Sequence, residues 1–197
     1  MSPRLSLWLC AACLGAVLAG CGGVPLRSVP RLMQLPAQLE NANPAEFMVA
    51  LQVDARLSPP PGAVPLLVVR LTPKEAGAFE PIDRKLPLQV TVTSAATLGL
   101  DAPERGRRWL IYSLPPATQA ELQRVQRLVR QAKADKAHAG GSLSLGVEQD
   151  SLVAAVTDPA LARSRWDTWL QTQRADGFFE VWSGTPEDIQ RLAARRR

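Results

Sequence analysis

Imidazoles and thiols, the groups best suited to move a proton, attack an electrophile or hold a soft metal near neutral pH, are few: one histidine, His138, and three cysteines, Cys10, Cys13 and Cys21, and the 18 carboxylates form no dense cluster. His138 precedes Gly140-Gly141 in a polar stretch, where a solvated imidazole is a better reading than a catalytic base. No Gly-x-Ser-x-Gly elbow accompanies it, and the sequence contains neither a phosphate loop nor a dinucleotide fingerprint. Among the carboxylates Asp54 is the one to watch, because it lies mid-strand, but it alternates outward beside Gln52 and Arg56 on a polar face. These observations point to a non-enzymatic chain with no metal and no cofactor. Chemistry is expected instead at Cys21, which follows two small residues, Ala19 and Gly20, at the end of an uncharged apolar run.

The elements around Cys21 set that expectation. Arg4 supplies one positive charge, Leu5 to Leu18 is free of charge and rich in Leu and Ala, and Leu18-Ala19-Gly20-Cys21 closes the segment. A charged start, an apolar run and small residues before a cut form a secretory leader. The run is roughly 14 residues, against about 20 needed to span a hydrocarbon core. Leu18-Ala19-Gly20-Cys21 resembles the lipobox of bacterial lipoproteins. That resemblance implies cleavage between Gly20 and Cys21, a diacylglyceryl group on the Cys21 thiol, an acylated new amino terminus and retention by several lipid chains. Gly22, where an Asp would mark inner-membrane retention, implies the outer membrane, with the domain facing the periplasm. The alternative is an ordinary secretory leader followed by an incidental cysteine.

Residues 1–20 are accordingly a signal peptide. Residues 21–44, with Pro25, Pro30, Pro36 and Pro44, are expected to form a lipidated tether that holds no lasting regular helix. Cys10 and Cys13 leave with the leader and Cys21 is consumed by lipid, so disulfides and thiolate metal sites are not expected in the mature chain. Residues 45–197 have the length of one domain, and an apolar content of 46% suits a globular core.

Within that domain the early pattern has a period of two. Val49 to Leu57 alternates and predicts a strand. Ser58-Pro59-Pro60-Pro61-Gly62 turns the chain into an apolar run, Val64 to Leu71, expected to pair with it as a hairpin. Leu86 to Thr93 predicts a further strand, with Pro87 favouring an edge or a strand start, and Arg108 to Leu114 another. Thr118-Gln119-Ala120-Glu121 has the form of a capping box opening a helix over 118–136, with Leu122, Val125, Leu128, Val129 and Ala132 on one arc. Residues 142–147 alternate as a strand, with Leu152 to Val156 as its expected partner. Asp158-Pro159 is expected to open a second helix carrying Leu161, Trp166, Trp169 and Leu170 on its apolar side. Asp176-Gly177 then turns the chain into a strand from Phe178 to Trp182, and Thr185-Pro186-Glu187-Asp188 caps a last helix. The fold expected is α+β, on a mainly antiparallel sheet that a sandwich could accommodate, with about three helices in the second half.

Two kinds of residue could meet a partner. Trp166 and Trp169, three apart on the expected helix, would share a face and join Trp182 in an aromatic surface or groove, with core packing as the plainer role. Arg105, Arg107 and Arg108 precede a strand and Arg195-Arg196-Arg197 end the chain; they could meet acidic groups, or simply be solvated. The whole sequence carries +5, and removing the leader takes away only Arg4 among its basic residues. An export signal argues against nucleic acid as the partner.

Leu51-Gln52-Val53-Asp54, Val68-Val69-Arg70-Leu71, Ala78-Phe79-Glu80 and Thr97-Leu98-Gly99 resemble the small outer-membrane sandwich lipoprotein of type VI secretion assemblies. The long helix at 118–136 and the carboxyl-terminal third depart from that pattern. What the resemblance implies is a lipid-anchored periplasmic module binding a protein partner in envelope assembly or secretion. Two other readings remain: a carrier or sensor with a pocket lined by Trp166, Trp169, Trp182 and Leu128, and a hydrolase with two convergent carboxylates.

Overall fold

Val49, Leu51 and Val53 are each 0% exposed, and their alternation is the organising feature of the fold. A computed structural model describes residues 23–75, 77, 79–91, 99–134 and 141–195. Strand β1 (Met48–Asp54) is the centre of a five-stranded antiparallel sheet ordered β4-β5-β1-β7-β8, in which β4 is Gln89–Val90, β5 Arg107–Ser113, β7 Trp166–Gln171 and β8 Phe179–Gly184. A second antiparallel sheet of three strands runs β3-β2-β6, from Ile82–Pro87, Leu66–Pro73 and Gly141–Glu148. Five α-helices complete the described chain: α1 (Val29–Asn41), α2 (Pro116–Ala134), α3 (Asp150–Ala154), α4 (Pro159–Ala162) and α5 (Pro186–Ala194). The protein is an α+β domain on mainly antiparallel sheet, with α1 lying before the sheets rather than in the second half.

Period-two alternation sends one set of side chains from each sheet into a common interior. Val49, Leu51, Val53, Tyr112, Trp166 and Leu170 come from the larger sheet, and Leu67, Val69, Leu71, Ile82 and Leu86 from the smaller. Leu122, Val125 and Val129 of α2 join the same cluster with Leu35 and Leu39 of α1. Fully burying one such aliphatic side chain contributes about 1.5–3 kcal/mol. The outward face of the smaller sheet is a solvated ladder of ion pairs, Arg70–Asp83 at 3.0 Å, Arg70–Glu148 at 3.5 Å and Lys85–Glu148 at 2.8 Å, and exposed pairs of this kind stabilise little.

The expected hairpin between the first two strands does not form. β1 pairs with β5 and β7, whereas β2 pairs with β3 and β6. The proline loop therefore carries the chain from one sheet to the other, which lets both apolar faces enter one core. Leu152 to Val156, expected as a strand beside β6, lies instead in α3 and the turn after it, and Leu152 and Val153 pack inward from helical positions. Pro87 ends β3 at the edge of its sheet, where a missing amide hydrogen does no damage.

The segment expected to be a tether is the largest departure. Leu26–Ser28 forms a 3-10 turn that leads into α1. Pro30 sits in the first turn of α1, where no amide hydrogen is needed, and Pro36 is tolerated inside. Tertiary contacts supply what local propensity lacks. Leu35 and Leu39 are buried, and the Gln126 side chain of α2 donates to the Leu39 and Ala42 carbonyls at 2.7 and 2.8 Å. Arg130 donates to the Glu40 carbonyl, so three carbonyls around the end of α1 that would lack intrahelical partners are satisfied.

Of the three expected helix starts, one differs. Thr118 does not cap α2, which begins at Pro116; its hydroxyl donates to the Pro87 carbonyl and ties the helix to β3. At α5 the expected signal is realised as a full capping box, with Thr185 and Asp188 satisfying each other's amides. Asp158 caps Ala160 as expected, but the helix it opens stops at Ala162 and gives way to β7.

Candidate functional site

Because 166–171 is a strand and not a helix, Trp166 and Trp169 do not share a face. Residues three apart in a strand point to opposite sides. Trp166 is 1% exposed and belongs to the core, as does the Thr168 position, whose cross-strand neighbour Trp182 packs against the same interior half-buried. Trp169 points outward. The expected trio thus separates: two tryptophans face the core and one faces outside. Leu128 lies on α2, 40% exposed. The groove between α3 and α5 is lined by Asp150, Val153, Ala154, Ile189, Gln190, Ala193 and Ala194, and none of these four residues borders it.

The arginines separate by the same alternation. Arg105 is in an exposed turn. Arg108 shares the inward face of β5 with Leu110 and Tyr112, and its guanidinium donates to the Leu57 carbonyl. Burial pushes the Tyr112 hydroxyl up to about 12, with Arg108 opposing the rise. Arg107 lies on the outward face and is only 11% exposed. It donates to Asp167 Oδ2 at 2.7 Å, to Glu104 at 3.1 Å and to the Gln52 and Arg165 carbonyls. Asp167 also accepts from Arg165 Nε at 2.8 Å, and Arg165 reaches Ser183 Oγ at 3.2 Å. A carboxylate held between two guanidiniums knits β5, β7 and β8 across β1.

What assembles on this outer face is an aromatic pair that the sequence did not single out. Trp109 of β5 and Trp169 of β7 meet edge to face across β1, with centroids 5.9 Å apart and planes at 88°. Such a pair contributes about 1 kcal/mol beyond its buried area. The strand between them carries Ala50, opposite Trp169 on one side and Ile111 on the other, small enough for the indoles to close over it; it is 0% exposed. Trp109 Nε1 donates to the Asp101 carbonyl at 2.9 Å. That loop is anchored by Gly99, whose φ of +84° and 2.5 Å approach of a notional Cβ to the Phe178 carbonyl leave no room for a side chain.

Arg27, in the segment expected to be a tether, completes the face. Its guanidinium lies 5.9 Å from the Trp169 centroid and pairs with Glu180, the residue opposite Trp169 on β8. Arg31 lies 5.4 Å from the Phe179 ring. Cation–π contacts at this range are favourable. The side chain of Arg27 is 71% exposed, that of Arg165 59% and those of Asp167 and Glu180 5% each. The arrangement offers cations and aromatic edges to the outside while its acids are covered, which suits recognition of an acidic or aromatic protein surface.

The remaining acid of interest, Asp54, is fully engaged. Its carboxylate accepts from the Arg56 amide at 2.9 Å and from the guanidinium at 3.0 and 2.9 Å, and these bonds with Arg56 hold its pKa down at about 2. No group of three or more His, Cys, Asp or Glu residues able to hold a metal occurs among the described residues. Gly20, Cys21, His138, Arg196 and Arg197 lie outside the described residues. One signal for the missed aromatic was available: Arg107, Trp109 and Ile111 occupy every second position of β5 and so share a face. Arg27 carried no such signal. No protein-family model, curated protein or solved structure matches the chain.

Proposed function

We propose that this protein is a lipid-anchored envelope module of the outer membrane, facing the periplasm and without enzymatic activity, whose domain binds a protein partner in envelope assembly or secretion. The anchor reading rests on Leu18-Ala19-Gly20-Cys21 closing an apolar run. The partner reading is carried by one observation, the half-buried Trp109–Trp169 pair framed by Arg27, Arg107 and Arg165 on the outer face of the larger sheet. Interface hot spots are enriched in Trp and Arg held in well-packed surroundings, and here Trp109, Trp169 and Arg107 are all set on strands of the larger sheet. The carboxylates of this face are all bonded to arginines, which favours binding over hydrolysis.

A photo-crosslinking residue placed at Ile111, beside the aromatic pair, tests the reading in cells. The expected result is one discrete crosslinked envelope protein, lost in the Trp169→Ala background and weakened by Cys21→Ala. A control crosslinker at exposed Gln123 on α2 should not capture it. Equal capture from both positions, or capture insensitive to Trp169, would overturn the partner reading.

A further inference from the structure

We infer that the amino-terminal face of α1 is a membrane-docking surface that seats the domain directly on the lipid headgroups. The inference deepens the anchored-module reading and rests on it.

Six large apolar side chains stand exposed among the described residues, and four of them, Val24 at 49%, Leu26 at 81%, Val29 at 38% and Met33 at 79%, fall within ten positions of one another. Leu26, Val29, Met33 and the exposed Ala37 stand at spacings of three, four and four. At about 100° per residue they form a single stripe. The buried stripe of the same segment, Ser28, Leu35 and Leu39, points the other way, into the core. The exposed stripe is therefore not spare core surface. It belongs to a helix whose inner side is fully used.

The position of this stripe relative to the anchor decides its occupant. Gly23 bridges to Ser183 on the edge strand β8, where the Ser183 amide donates to the Gly23 carbonyl at 3.2 Å. Cys21 is two residues away. A chain reaches at most about 3.6 Å per residue, so acyl chains on Cys21 begin within about 7 Å of the sheet edge and within about 18 Å of Leu26. An anchored domain held this close has no long tether on which to stand off, and the surface nearest the bilayer is the one bearing Leu26, Val29 and Met33. Arg27 and Arg31 flank the apolar stripe in sequence and pack on Trp169 and Phe179, Arg27 also pairing with Glu180, and cations beside an inserted apolar face meet anionic headgroups. An apolar face flanked by cations is the pattern of an interfacial helix. The bilayer that receives the lipid is thus the occupant.

The test uses the mature lipidated chain reconstituted into phosphatidylethanolamine–phosphatidylglycerol vesicles. With the Cys21 thiol occupied by lipid and Cys10 and Cys13 removed with the leader, an introduced cysteine is the only free thiol. Met33→Cys and Leu26→Cys sit at exposed positions whose replacement spares the core, and Leu128→Cys on α2 serves as an equally apolar control away from the stripe. Each is labelled with an environment-sensitive fluorophore and challenged with shallow doxyl-lipid quenchers. Labels at 33 and 26 should be quenched about threefold or more over the label at 128, as expected for a face within the interfacial layer. Equal quenching at all three overturns the docking. So does a label at 33 that is shielded in native membranes yet unquenched in vesicles, since a protein would then cover the stripe. The mass of the amino-terminal peptide from the same preparation separates the two readings. An unmodified Cys21 overturns both the anchor and the docking, whereas a lipidated Cys21 with an unquenched stripe overturns the docking alone.

Discussion

Arg107 is nearly buried and bonded at 2.7 Å to Asp167, itself 5% exposed. Charges removed from water in this way are stable only as a bonded set, and deleting one partner strands the other. Asp167→Ala is therefore expected to destabilise the domain by about 3 kcal/mol, measured by urea unfolding, while Arg165→Ala, whose guanidinium remains 59% exposed, should cost under about 1 kcal/mol. Asp54 shows the contrasting surface case. Its pKa is lowered from 3.8 to about 2 by Arg56, so its contribution is present above pH 4 and is lost as the pH falls through about 2. The fall in stability between pH 4 and 2 should be smaller in Asp54→Asn than in the wild type, and the variant should be the less stable of the two at pH 6–8, where the Asp54 contribution is fully present. An equal acid dependence in both would mean that the Arg56 contact contributes nothing.

At the scale of elements, α1 is held by its neighbours. Its sequence contains Pro30 and Pro36, and its carboxyl-terminal carbonyls depend on Gln126 and Arg130. Gln126→Ala removes both side-chain donors to Leu39 and Ala42 and leaves those carbonyls without these partners, a change of about 1–3 kcal/mol. Amide exchange in residues 32–41 should accelerate on this substitution more than exchange in β1, because the affected helix is at the edge of the core and β1 at its centre. Much of the sheet was legible from alternation: β1, β5, β6 and β8 stand close to where period-two patterning put them. Strand β7 was not. Its residues Trp166, Trp169 and Leu170 fit a helical apolar arc, and Trp169 breaks the alternation that Trp166 and Leu170 alone would keep, so local periodicity pointed to a helix. Only pairing with β1 and β8 resolves it.

Across the whole molecule, two sheets and three helices draw on one apolar cluster. The domain should therefore unfold as a unit. Leu51→Ala in the larger sheet and Leu67→Ala in the smaller, both 0% exposed, are each expected to lower a single common transition, by about 2–5 kcal/mol. Fluorescence and far-ultraviolet circular dichroism should report the same midpoint for each variant. Two separate transitions would show that the sheets are independent. The same cluster explains why the amino-terminal segment folds at all. Leu35 and Leu39 find a place in it, and residues that composition alone assigns to a tether become part of the domain.

The sequence by itself determined the features that depend on local order: the alternating strands, the amphipathic helix α2 and the caps at Asp158 and Thr185. Each is a relation between residues a few positions apart. The tertiary structure alone decided what depends on distant neighbours. It placed Trp109 against Trp169, sixty residues away in the chain, sent Trp166 and Arg108 inward, and folded α1 onto α2. Those outcomes follow from burial and from pairing across strands, and both are set by which segments meet.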